Sequence, residues 1–180
     1  MDLGRVDGKA DLLRVVHYPE PVLLTIAKPV EVFDDALASF VERMFDTMYE
    51  AGGVGLAAPQ VGVSTRIFVM DCLQDGSDER RFALINPEIV MSEGEQYGGE
   101  GCLSFPGLYQ DVKRELRTIV RFQDLSGAVQ ELDVTDLEAR CVLHENDHLD
   151  GIVFLDRMSA LRREMSKRKI KKLIKTGKWE

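Results

Sequence analysis

The sequence predicts an α+β fold, and three observations lead to it. Segments of strand character cluster in the middle of the chain, between residues 66 and 134, and helical periodicity lies on either side of them. The order shows no repeated strand–helix–strand unit, so mainly antiparallel strands flanked by helices fit better than an alternating βαβ fold. A length of 180 residues is enough for one well-packed core and short for two, which makes residues 1–180 a single expected domain. Apolar residues at 44% and charged residues at 30% lie in the range of soluble globular chains rather than disordered ones.

The elements follow in chain order. Residues 1–12 alternate charge and glycine and are expected to form an extension outside the core. Asp34 or Asp35 can cap a helix whose apolar positions Leu37, Phe40, Val41, Met44, Phe45 and Met48 follow the 3.6-residue period, and Gly52-Gly53 ends it. Strand character follows at 66–70, 82–90, 118–123 and 130–134, the last two joined by a Ser126-Gly127 turn that suits a hairpin. A second helix is expected from Thr135, with Glu138 completing a T-x-x-E capping box, and runs to Gly151. A third, basic helix spans 159–176, starting near Ser159, with Leu161, Met165, Leu173 and Ile174 as its apolar stripe. No internal repeat or low-complexity stretch is present.

Charge and cysteine usage narrow the setting. The net charge of −8 divides unevenly: from Arg157 to Glu180, ten Lys/Arg face two acids, a net +8, which leaves −16 on the remainder. An acidic body with a basic tail points the tail at something anionic, although a solvated helix face accounts for it as well. Three cysteines, an odd number, argue against a disulfide framework and for a reducing compartment. No apolar run approaches the roughly 20 residues that cross a bilayer. The opening residues lack the apolar core of a signal peptide, so cytoplasm is the expected compartment.

Chemistry concentrates in His144-Glu145-Asn146-Asp147-His148, which holds two of the three histidines. Positions four apart share a helix face, so both imidazoles can point at one metal ion with Glu145 beside them to move a proton. The third ligand decides the function. In the longer peptidase pattern H-E-x-x-H-x-x-G-x-x-H, Gly151 is in place but the last position is Phe154, which cannot coordinate. A peptidase that takes a Glu further along would have to use Glu164, inside the basic helix. The other soft donors are Cys72, Cys102, Cys141 and His17. Cys141 shares the helix face of His144, but a rise of about 1.5 Å per residue leaves its short side chain a turn away from the ion, so it is expected to line the base of the site. Cys72 ends an apolar strand and reads as a packing residue. Cys102 lies in Gly98-Gly99-Glu100-Gly101-Cys102-Leu103-Ser104, a glycine-rich loop whose backbone can approach another group closely, and spacing favours it.

Three segments, Gly53-Val54-Gly55-Leu56-Ala57-Ala58-Pro59-Gln60, Glu100-Gly101-Cys102-Leu103-Ser104 and the His144–His148 pentad, resemble the three signature motifs of the peptide deformylase family, in the family's order. The stretch Tyr18-Pro19-Glu20-Pro21-Val22-Leu23 and the run from Met44 to Asp71 are similar as well, and the resemblance covers about Val15 to Arg157. Residue 143, often Gln in the family, is Leu143 here. The resemblance implies a mixed α+β domain with the H-E-x-x-H helix packed against antiparallel strands. It implies one divalent metal on Cys102, His144 and His148 with water as fourth ligand, Fe(II) physiologically and replaceable by Zn, Ni or Co. One thiolate and two imidazoles by themselves suit Zn equally.

The implied reaction removes formate from the N-formylmethionine that begins a nascent chain. Glu145 is the expected general base, and the Gln60 amide and Leu103 N–H the expected oxyanion donors. Glu100 and Arg114 are expected to pair behind the Cys102 loop, and Asp147 to orient the ligand helix or lie exposed on it. The backbone edge at Val54 and Gly55 can take a peptide as an added strand, with Val54, Leu137, Cys141 and the His144 ring edge around the methionine side chain. The basic helix can face ribosomal RNA near emerging chains; no membrane is involved. Two other readings stand beside this one: a peptidase using the same helix, and a structural zinc domain whose tail binds nucleic acid, for which no fourth ligand is evident.

Overall fold

The structure is a computed structural model that describes residues 12–74 and 80–179. All but the last residue of the expected N-terminal extension falls outside the described residues. Asp34 caps α1 (Asp35–Glu50) by accepting from Leu37 N at 2.9 Å, and all six of its expected apolar positions are buried. Then come β1 (Gly55–Ala57), a 3-10 turn at Ala58–Val61 and β2 (Ile67–Asp71). Next are β3 (Arg81–Glu93), β4 (Gln96–Gly101), β5 (Tyr109–Arg114), β6 (Arg117–Gln123) and β7 (Val129–Thr135). The chain finishes with α2 (Asp136–Leu149), a 3-10 turn at Phe154–Arg157 and α3 (Ala160–Lys175).

Five strands form an antiparallel sheet in the order β1-β2-β3-β6-β7, and β4 pairs only with β5 in a separate hairpin. Because side chains alternate along a strand, β2 divides its residues between two cores. Ile67 and Val69 pack with α1, whereas Phe68 and Met70 pack with Ala139 and Val142 of α2. The α+β expectation is therefore borne out, with the H-E-x-x-H helix seated on the sheet. Cys72 packs half-buried against the second of these cores, as expected of a packing residue.

A third cluster joins the hairpin to the C-terminal part: Phe105, Val112, Phe154 and Ile170 are buried together. Phe105 stacks on Tyr18 (centroids 5.0 Å apart) and meets Phe154 edge-on, also at 5.0 Å. Trp179 closes this cluster, its Nε1 donating to Tyr18 O at 2.6 Å and its ring edge-on to Phe105 at 6.2 Å.

Three expectations need correction. The glycine-rich segment before Cys102 is a strand, because every residue of β4 finds a partner on β5, from Gln96 opposite Arg114 to Gly101 opposite Tyr109. The Thr135/Glu138 capping box does not form: Thr135 Oγ1 donates to Asp136 Oδ2 (2.8 Å), Glu138 is taken by Arg80, and Asp136 enters the helix at φ 54°. The apolar stripe of α3 is displaced. Leu161 and Met165 are exposed and the helix buries Ser166 and Ile170 instead, since the third cluster reaches that line of the helix.

Gly151 shows how tightly α2 is tied to the N-terminal segment. It lies at φ 71°, and a Cβ there would sit 2.9–3.0 Å from backbone atoms of Leu24 and Thr25. Gly151→Ala therefore combines a left-handed backbone, about 1–2 kcal/mol, with overpacking against backbone that cannot yield, about 1–3 kcal/mol. Urea unfolding should show a loss in that combined range; a loss under 1 kcal/mol contradicts the contact.

Candidate metal centre and its cleft

The last residue of β4 delivers Cys102 to the ligand helix. Cys102 Sγ and His148 Nε2 lie 3.2 Å apart, and the rings of His144 and His148 are 5.1 Å apart, one turn along α2. One ligand atom from each of Cys102, His144 and His148 falls within 4.8 Å of the others, the set that the resemblance implies. His17, Cys72 and Cys141 lie outside this group.

Behind the donors stands a buried ionic network. Arg114 holds Glu100 in a fork, Nε donating to Oε1 at 2.8 Å and Nη2 to Oε2 at 3.0 Å. His144 Nδ1 donates to the same carboxylate at 2.9 Å, which leaves Nε2 of that ring for a ligand position. Arg114 also reaches Asp147 (2.6 Å), so the expected Glu100–Arg114 pair forms and Asp147 is buried rather than exposed. Sequence reasoning missed two members. Arg140 donates to Glu100 Oε1 and to Val112 O, and Arg157 donates to Asp147 Oδ2 at 2.9 Å. Arg140 lies one turn before His144 on the ligand helix, a spacing that could have drawn attention to it.

The charges decide what the site wants. Burial by itself would raise Glu100, but the hydrogen bond from His144 and the Arg114 guanidinium overcome it and hold that carboxyl well below the usual range. Burial pushes His148 well below its ordinary value, so it is the neutral imidazole that ligation requires. Burial acts to lower His144 too, yet the Cys102 sulfur and Glu100 outweigh it and draw a proton onto that ring. A divalent cation meets the same demand for positive charge and displaces that proton. The donor set, the second-ring bond to a carboxylate and the buried setting all fit a metal ion.

Glu145 is buried beside the donors with Oε2 lacking any partner in the structure, and burial pushes its carboxyl up to about 7. A cation nearby draws that value down again. Gly55 makes room for it: a Cβ there would lie 2.6 Å from both Cys141 Sγ and Glu145 Oε1. Gln60 is buried, its Oε1 accepting from Ala57 N (2.7 Å) and its Nε2 reaching Cys102 Sγ at 3.4 Å. The site opens into a cleft of about 590 Å³, within the usual range for ligand pockets. Its lining includes Val54, Gly55, Leu103, Leu137, Cys141 and His17. Leu137 is half-exposed at the rim, and Phe154, where a longer peptidase pattern needs His, is buried beneath His144.

Two imidazoles, a thiol and a buried carboxylate at the base of an open cleft are the donor set and base of a metallohydrolase. Comparison with known proteins narrows that class. The family model for polypeptide deformylase matches residues 12–164. The peptide deformylase of Acidobacterium capsulatum is 46% identical over 165 residues, 92% of this chain and 97% of its own. That of Chromobacterium violaceum is 50% identical over 161 residues, 89% and 95% of the two chains. The crystal structure of a peptide deformylase from Legionella pneumophila superposes with a TM-score of 0.85 at 43% identity, covering 92% of this chain and 97% of that one. The chain belongs to the peptide deformylase family.

The network generates a prediction. Glu100→Gln removes the negative charge that orients His144, and loss of such a partner costs about 10–100-fold in metal affinity. Competition with a chromogenic chelator should read that loss while the circular dichroism spectrum is retained; unchanged affinity contradicts the role.

Proposed function

We infer that this protein hydrolyses the formamide of the N-formylmethionine that begins newly made polypeptides, releasing formate. The observation that carries the reading is the meeting of Cys102, His144 and His148 within 4.8 Å, with Glu145 buried beside them, in a chain of this family. These three residues are the proposed ligands of one divalent ion, Fe(II) physiologically, with Zn, Ni or Co able to replace it. When bound, the ion supplies Lewis acidity, lowering the pKa of a coordinated water and polarising a carbonyl oxygen.

The side chains of the protein perform the remaining tasks. Glu145 takes the proton of the attacking water and returns it to the leaving amine, a service worth roughly 10²–10⁴ in rate. Gln60 and the Leu103 N–H donate to the developing oxyanion, where loss of one donor costs about 2.7–4 kcal/mol. Gln60 is set in advance, since its Oε1 is engaged by Ala57 N and its Nε2 is left directed at the Cys102 sulfur. Val54 and Gly55 lie at and beside the free edge of the five-stranded sheet, where a peptide can add through main-chain bonds that ignore sequence. Val54, Leu137 and Cys141 surround the methionine side chain. In this reading the exposed Lys and Arg of α3 face the ribosome, and the protein works in the cytoplasm beside emerging chains.

Metal-loaded protein should release formate from formyl-Met-Ala and leave internal bonds of blocked peptides uncut. Glu145→Gln should lower kcat by about 10² or more with the metal still bound by elemental analysis. Absence of formate from metal-replete protein refutes the reading.

A further inference from the structure

Two of the three cysteines face each other across the seam between β2 and α2. Side chains alternate along a strand, so Cys72, which follows β2, continues the line of Phe68 and Met70 toward the ligand helix. On that helix Cys141 is buried in the same cluster, and Cys72 packs against that cluster. The backbone brings the two within reach. Val54 O accepts from Asp71 N at 2.9 Å and from the Cys141 thiol at 3.6 Å, and the residue after Asp71 is Cys72. The two thiols share a hydrogen bond.

Their surroundings differ as the two members of a redox pair require. Cys72 is half-buried with the exposed Leu73 next to it, so a small oxidant can reach its sulfur. The last pair of the β2–β3 ladder is Asp71 opposite Arg81, and one step beyond it Arg80 comes beside Cys72, close enough for charge on the sulfur to act on the guanidinium. Glu138 of α2 anchors that guanidinium, its Oε1 accepting from Arg80 Nε at 2.7 Å. A cation so placed stabilises the negative charge that develops on the oxygen leaving a peroxide attacked by Cys72. Cys141 is the inner member. The hydrogen bond with Cys72 and burial push its thiol well above the ordinary value, and it lines the cleft beside Glu145.

We propose that Cys72 and Cys141 are a peroxide-sensitive dithiol whose disulfide weakens the hold of the cleft on formylmethionine. The Cys72 sulfur attacks one peroxide oxygen: an S–O bond forms, the O–O bond breaks, and hydroxide leaves as water with the thiol proton. The Cys141 sulfur then attacks the sulfenic sulfur of Cys72. The S–S bond forms, the S–O bond breaks, and the second hydroxide leaves as water with the Cys141 proton. Two thiols are oxidised to one disulfide and one peroxide is reduced to two waters. The new bond turns the Cys141 sulfur from Val54 O toward Cys72 and takes it from the wall around the methionine side chain. That consequence rests on the deformylase reading; the disulfide itself does not.

The test uses zinc-loaded protein, since zinc has no redox chemistry of its own. It is treated with hydrogen peroxide, quenched with iodoacetamide and mapped by mass spectrometry without reduction. A peptide joining Cys72 to Cys141 should appear, and the three thiols of the unfolded chain should fall to one. Dithiothreitol should reverse both changes. Cys72→Ser should form no bridge, and Cys141→Ser should leave a sulfenic acid at Cys72 that dimedone captures. On bridging, kcat/KM for formyl-Met-Ala should fall about tenfold, the worth of roughly one methylene-sized contact in an apolar pocket. It should recover on reduction, and Cys72→Ser should keep its activity through the same treatment. Absence of the bridge, whether oxidation stays at Cys102 or carries Cys72 to the sulfonic acid, overturns the proposal. So does a bridge that leaves kcat/KM unchanged. If the reduced wild type releases no formate, it is the deformylase reading that fails, and the peptide map still decides the redox pair.

Discussion

Glu100 is the junction on which the rest of the site depends. One buried carboxylate is bonded to Arg114 from β5 and to Arg140 and His144 from α2, while its neighbour two residues on is Cys102. The hairpin and the ligand helix share no sheet, so this carboxylate is the joint between the strand that brings sulfur and the helix that brings nitrogen. Breaking one partner of such a buried pair is strongly destabilising, about 3–5 kcal/mol, because the other charge is left without an answer. The same arrangement fixes which nitrogen of His144 is available. Stability and chemistry thus rest on a single group.

The two faces of β2 show how the sheet prepares that joint. With Phe68 and Met70 against α2 and Ile67 and Val69 against α1, the strand is inaccessible on both sides, and α2 has one seat on it. Gly55 then matters for its lack of a side chain: Glu145 and Cys141 occupy the volume a methyl would need. The helix approaches the sheet edge closely enough to place a carboxylate beside the edge a peptide would pair with. The burial of Glu145 and its position at the sheet edge come from the same close contact.

Much of this was legible in the sequence, for reasons particular to each element. The first helix announced itself through Asp34 and a regular apolar spacing, and the pentad and Cys102 through residue types with few other uses. Gly98-Gly99-Glu100-Gly101 misled, because glycine is read as a strand breaker and its pairing with β5 is a long-range fact no local pattern encodes. The stripe on α3 misled for a related reason: Leu161 and Met165 have helical spacing, but the surface they would cover is not there, and Ile170 meets the aromatic cluster instead. Arg157 was invisible as a network member, and Arg140 gave only its one-turn spacing before His144, since a paired guanidinium looks like any surface cation until its partners are placed. Glu138 beside Thr135 had the form of a capping box, and Arg80, distant in sequence, claimed it.

Trp179 is the only tryptophan of the chain, and it rests on the Tyr18 carbonyl and on Phe105, which lies three residues beyond Cys102. The molecule therefore carries its own optical gauge. Indole emission depends on what surrounds the ring, so light from this one chromophore reports whether the C-terminal segment is docked against the floor of the cleft, with no label added.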